Sequence, residues 1–123
     1  MSIKSHRDLI AWQKAMTLAE TVYQLTLSFP KEEIYGLTSQ IRRCAVSIPA
    51  NIAEGQGRRS KKEFQQFLGH ARGSLLELDT HLELALRFRY LNPEFYQKAK
   101  PQIDEVGRLI NGLMRSLGET TSL

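Results

Sequence analysis

The stretch from Phe64 to Ala85 constrains this chain more than any other. Phe64, Leu68, Ala71, Leu75, Leu78, Leu82 and Ala85 follow one another at steps of 4-3-4-3-4-3. Alternating steps of four and three keep side chains on one side of an α-helix, whereas a strand needs a period of two. A seam that is apolar on one face must be covered by other helices. Ser60 and Glu63 have the spacing of a capping box, which sets the helix start at about residue 60. The helix is predicted to run to about residue 90, where "YLNP" stops it.

Three further segments share the period. Over about residues 8–28, Leu9, Trp12, Met16, Ala19, Tyr23 and Thr26 form a stripe that Ala15, Val22, Leu25 and Phe29 widen. Asp8 can cap it, and Pro30 ends it. Over about 37–54 the apolar face is Leu37, Ile41, Cys44, Ala45, Ile48 and Ile52. Pro49 falls inside this segment and predicts a kink; Gly55 and Gly57 suit a left-handed stop after it. Over about 93–117, Ala99, Ile103, Val106, Ile110, Leu113 and Leu117 step 4-3-4-3-4 behind an Asn92 cap and Pro93. Pro101 is expected to split a short first turn from the main helix, and the tail "GETTSL" to fray. No segment alternates at period two. The prediction is all-α: one antiparallel, up-down four-helix bundle over residues 1–123, enough chain for a single core.

The charge pattern narrows function. The net charge is +4, but Arg42 to Arg72 holds seven Lys and Arg against Glu54 and Glu63, so the excess lies there. A single cysteine, Cys44, excludes an intrachain disulfide and points to a reducing compartment. The N-terminus has charges where a signal peptide needs an apolar run, and no stretch is apolar enough to cross a membrane. A cytoplasmic protein is expected.

Catalysis finds little support. His6, His70 and His81 complete no paired Glu-x-x-His arrangement of a di-metal bundle. His70, Ser74, Glu77 and His81 share one stripe of the third helix, without evident ligands facing them. Cys44 reads as a small buried hydrophobe, and "EGQGRR" lacks the preceding strand of a phosphate loop. No enzyme, cofactor or metal is expected.

The small and polar residues suggest close contacts. Gly69 and Gly73 stand four apart inside a helix, where each costs ~1 kcal/mol relative to alanine. Close approach of another backbone would account for them, within the chain or between subunits. Ser47, Asn51 and Glu54 form a polar stripe on the second helix. It is either a solvated face or a partner for Arg72 and Glu77 on the third.

The basic run "GRRSKKEF" is the strongest candidate for an interface. Arg58 and Arg59 precede the Ser60 cap; Lys61 and Lys62 occupy the first turn. Cations there oppose the helix dipole by ~0.3–1 kcal/mol at low salt. Together with free backbone N–H groups they also make a place to hold phosphate. Arg42 and Arg43 would widen the patch if the helices brought them near. The alternative is a solubilising loop. Few exposed-looking aromatics stand beside the run, so contacts to nucleic-acid backbone without base stacking are the expected mode.

Three stretches carry a resemblance: "SIPANIAEG" (Ser47 to Gly55) with the basic residues after it, the Phe64 to Leu78 pattern, and "DLIAWQKA" (Asp8 to Ala15). Together they resemble the 23S rRNA intervening-sequence proteins, also called the S23 ribosomal protein family, over nearly the whole chain. Cys44 departs from the pattern, where alanine is more usual. The resemblance implies a ring-like homopentamer of up-down bundles. It also implies an intracellular bacterial protein, without enzymatic activity, of a family whose genes were first noticed inside intervening sequences of large-subunit rRNA genes. A related group, the accessory variability proteins of diversity-generating retroelements, implies binding of nucleic acid and a reverse transcriptase. The expected partners are therefore other copies of the chain and RNA or DNA, or else a protein docked on a scaffold.

Overall fold

The computed structural model describes residues 5–118. Four α-helices, α1 (Ile10–Thr26), α2 (Leu37–Gln56), α3 (Lys61–Arg87) and α4 (Pro93–Ser116), make up the fold, with short 3-10 turns at His6–Asp8 and Lys31–Glu33. Among the described residues there is no strand.

Each helix packs on its neighbours in sequence, and α4 closes against α1, while diagonal helices stay apart. Side-chain pairs give the direction. Arg42 on α2 reaches Thr26 on α1, Ser47 on α2 meets Ser74 on α3, and Asp79 on α3 binds Lys100 on α4. In the first and last pairs a late residue of one helix meets an early residue of the next, or the reverse; for α2 and α3, late Gly55 lies by early Phe64 and Phe67 while Cys44 lies by Glu77, so successive helices run antiparallel. The seam of α3 is the centre of the core: Leu68, Ala71, Leu78, Leu82 and Ala85 are fully buried. They meet Leu18 and Val22, Ile41, Ile48 and Ile52, and Val106 and Ile110 from the other helices in one cluster.

Several expected boundaries shift for physical reasons. Asp8 does not cap α1: its side chain completes a capping box with Ser5 around the first 3-10 turn, and Leu9 stands at the N-cap without a side-chain bond. The buried track of α1 centres on the widening residues Ala15, Val22 and Leu25, with Ala11 and Leu18 beside them; of the main stripe Leu9 and Thr26 are buried, while Met16 and Tyr23 are exposed. Both tracks have helical spacing, and the bundle takes the more aliphatic one. α4 is continuous from Pro93, so Pro101 does not split it. Pro101 is exposed, and the carbonyl left without its N–H donor can turn to water.

α2 runs two residues beyond the expected end, through Gly55 to Gln56, and carries Pro49 inside it. Gly57 closes it in a right-handed conformation (φ −78°, ψ −4°), so neither glycine is a left-handed stop. Its start has an unusual support. Glu33 accepts the Leu37 N–H at 3.0 Å with one carboxylate oxygen and the Tyr90 hydroxyl at 3.1 Å with the other. That hydrogen bond to Glu33 raises the Tyr90 phenol above its ordinary value.

Candidate nucleic-acid interface

The turn between α2 and α3 occupies only residues 57–60, and close backbone approach just before it explains how so short a connection packs. Gly55 is buried, and a Cβ built there would lie 2.8 Å from the Cβ of Phe67 and 2.9 Å from Cδ1 of Phe64. A side chain at this position would force α2 and α3 apart. Gly55, read from sequence as a helix stop, is thus the close-contact glycine. Gly69 and Gly73 are the reverse: a Cβ at either would meet nothing within 4 Å. The expected close helix contact at these two positions is therefore corrected for contacts within the chain. Both lie on the exposed face of α3.

Ser60 caps α3 by accepting the Glu63 N–H at 3.1 Å. Lys61 and Lys62 hold the first two helical positions, where backbone N–H groups have no intrahelical acceptor. Arg58 is held: it pairs with Glu54 at 2.7 Å and its guanidinium lies 4.7 Å from the ring centre of Phe67. Arg59, Lys61 and Lys62 are exposed and make no ion pair among the described residues. The turn therefore presents one paired and three exposed, unpaired cations beside the positive end of a 27-residue helix dipole. Chemically this arrangement suits a phosphate group, which takes charge-assisted hydrogen bonds from Arg, Lys and backbone N–H alike. Phe67 beneath Arg58 was not evident from sequence as part of this turn; its signal was the spacing that places it on the α3 face toward Gly55.

Arg42 and Arg43 do not join the patch. Gln56 stands thirteen positions beyond Arg43 on α2, about 20 Å of helix. Arg42 donates from Nε to Thr26 Oγ1 at 2.8 Å and lies 4.6 Å over the Tyr23 ring, which ties α2 to α1. Arg43 reaches Ser39 at 3.3 Å.

The polar stripe divides rather than forming one network. Ser47 and Ser74 hydroxyls hydrogen-bond across α2 and α3, and Asn51 turns back to the Ser47 carbonyl at 2.8 Å. Glu54 points to Arg58 instead of α3. Arg72 reaches Asn111 on α4 at 3.2 Å, so the expected pairing of Arg72 with the stripe is not made. Glu77 does face α2, where Cys44 stands. Burial pushes the Cys44 thiol up to about 11, and the neighbouring Glu77 carboxylate, which accepts its hydrogen bond, adds to the rise. No helix among the described residues is long and apolar enough to cross a membrane.

A model of the 23S rRNA-intervening sequence protein family matches residues 7–112, so the chain belongs to that family. Among solved structures it is similar to a protein of unknown function from the S23 ribosomal protein family of Bacteroides thetaiotaomicron. The two are 25% identical with a TM-score of 0.79, over 86% of this chain and 96% of that one. No curated protein matches the chain.

Proposed function

From membership of the 23S rRNA-intervening sequence protein family we propose a non-catalytic, oligomeric bundle that binds RNA or another nucleic acid in the cytoplasm. Binding runs through phosphate contacts of Arg58, Arg59, Lys61 and Lys62, without base readout. The observation that carries this reading is the set of unpaired cations at the α3 start: Arg59, Lys61 and Lys62 are exposed beside free helix N–H groups. A homopentameric ring, the assembly the family resemblance implies, would repeat the patch around one face and raise avidity without any new contact. The accessory role known for retroelement proteins is one setting in which such a ring would act.

The test is RNA affinity measured over a salt series, with the oligomer mass taken on the same sample. Log affinity should fall linearly with log salt, by ~0.7 per phosphate neutralised on single strands. Replacing all four residues with Gln should flatten that slope and weaken binding for every sequence tested. An unchanged slope in the variant would remove the site assignment.

A second reading, a protein-interaction scaffold, draws on a different face. Tyr35 is 95% exposed, with Ile34 and Val46 about half exposed beside it. They share a shallow groove with Tyr23, Arg42 and Arg43. Exposed apolar residues grouped in this way favour contact with protein, a second copy of the chain or a partner. A pull-down that recovers a protein with no nuclease-sensitive material would favour the scaffold.

A further inference from the structure

The antiparallel register that sets Ser47 against Ser74 also sets Cys44 against Glu77, and one helical turn further along α3 lies His81. One donor atom from each of Cys44, Glu77 and His81 falls within 4.8 Å of the others. The sequence stripe of His70, Ser74, Glu77 and His81 lacked a ligand on a facing helix, and Cys44 fills that place. His70 takes no part; it is exposed and stands edge-on to Phe67 at 5.9 Å.

We propose that Cys44, Glu77 and His81 hold a divalent transition-metal ion of the Zn2+ class, clamping α2 to α3. The donor set of one sulfur, one nitrogen and one carboxylate oxygen matches borderline-soft ions and discriminates against Mg2+ and Ca2+. Metal–ligand distances of ~2.0–2.3 Å require donors about 3.5 Å apart. Closing the present spread to that value takes side-chain rotations of all three residues, of which Glu77, its side chain 57% exposed, is the freest.

Two further observations point to an ion. The Nδ1 atom of His81 is buried and has no hydrogen-bond partner, while Nε2 lies 3.3 Å from Glu77 Oε2; with the ring proton on that contact, the Nδ1 lone pair is left to ligate an ion. A recess lined by Gln40, Arg43, Cys44, Ser47, Ser74 and Glu77 opens on the thiol, giving an ion and a water in the fourth position a route from solvent. Arg43 at its rim favours the thiolate, and the Glu77 carboxylate offsets its repulsion of a cation. On binding, the Cys44 proton is released to solvent and the thiolate becomes the ligand.

The experiment titrates reduced, metal-free full-length protein with Co2+ and then displaces it with Zn2+. One Co2+ per chain should appear with a thiolate-to-cobalt charge-transfer band, and Cys44→Ser should abolish the band. His81→Ala and Glu77→Gln should each weaken Zn2+ binding by ~100-fold or more, since even outer-shell partners cost 10–100-fold. Glu77 lies at the surface, so Glu77→Gln keeps the fold and gives a result even if a buried variant unfolds. Absence of the band in the unaltered protein would overturn the proposal. So would Zn2+ affinity that is the same in Cys44→Ser, His81→Ala and Glu77→Gln as in the parent, the result expected of adventitious binding at His6 or His70.

Discussion

At the end of α3 the chain reverses with all but one local requirement met, the exception being the residue type at Arg89. Arg89 takes the left-handed conformation (φ 66°), Tyr90 N–H bonds to the Ala85 carbonyl at 2.9 Å and Arg89 N–H to Leu86 at 3.1 Å. This is a complete Schellman motif with arginine where glycine is usual. Leu91 then buries, and Asn92 caps α4 by accepting the Glu94 N–H at 2.8 Å, with Pro93 and Glu94 suited to the first turn. At the start of α3 the shape is just as constrained, by Gly55 against Phe64 and Phe67, but the charge is not. Three cations crowd the positive end of the helix without partners. Folding alone accounts for the first turn and leaves the cations of the second unexplained. Under the proposed function, a ligand anion would supply the missing term.

The largest expected effect tests the shape half of this contrast. Gly55→Ala should destabilise the bundle by ~1–3 kcal/mol, because overpacking against the base of Phe67 outweighs the better helix propensity of alanine. Chemical denaturation reads this directly, and an unchanged midpoint would mean that the two helices separate freely. Arg89→Gly, at the other turn, should stabilise by ~1 kcal/mol by relieving a left-handed arginine. Loss of stability there would mean that the arginine side chain contributes something the turn geometry does not require.

Gly69→Ala and Gly73→Ala sharpen the comparison further. With open space around both, each should raise stability by up to ~1 kcal/mol in a single bundle. Should light scattering instead record a smaller assembly, another subunit packs on those positions. The smallest effect is electrostatic. Lys61→Glu and Lys62→Glu should each stabilise by ~0.3–1 kcal/mol at low salt, since an anion suits the helix start.

Much of this was legible in the sequence where period alone decides. The α3 seam from Leu68 to Ala85 is buried as its spacing requires, and Ser60 caps where the box placed it. α1 was harder, because its two adjacent tracks have the same period and only the neighbouring helices choose between them. Gly55, Gly69 and Gly73 could not be told apart locally. What distinguishes them is which faces of α2 and α3 meet, a property of the pair and not of either helix. Register does hold more information than the period reading used. The register that pairs Ser47 with Ser74, carried three residues back on α2 and three on along α3, places Cys44 opposite Glu77, which brings a sulfur ligand to a stripe that seemed to face none.

The most direct measurement takes the double variant Lys61→Glu/Lys62→Glu and records its thermal melt and its RNA affinity at the same low salt. The account predicts opposite signs: a melting temperature equal to or above that of the parent, and RNA binding sharply weakened with a shallower salt dependence. A variant that melts higher and binds RNA as well as the parent would contradict it, leaving the cations of this turn as a solubilising surface.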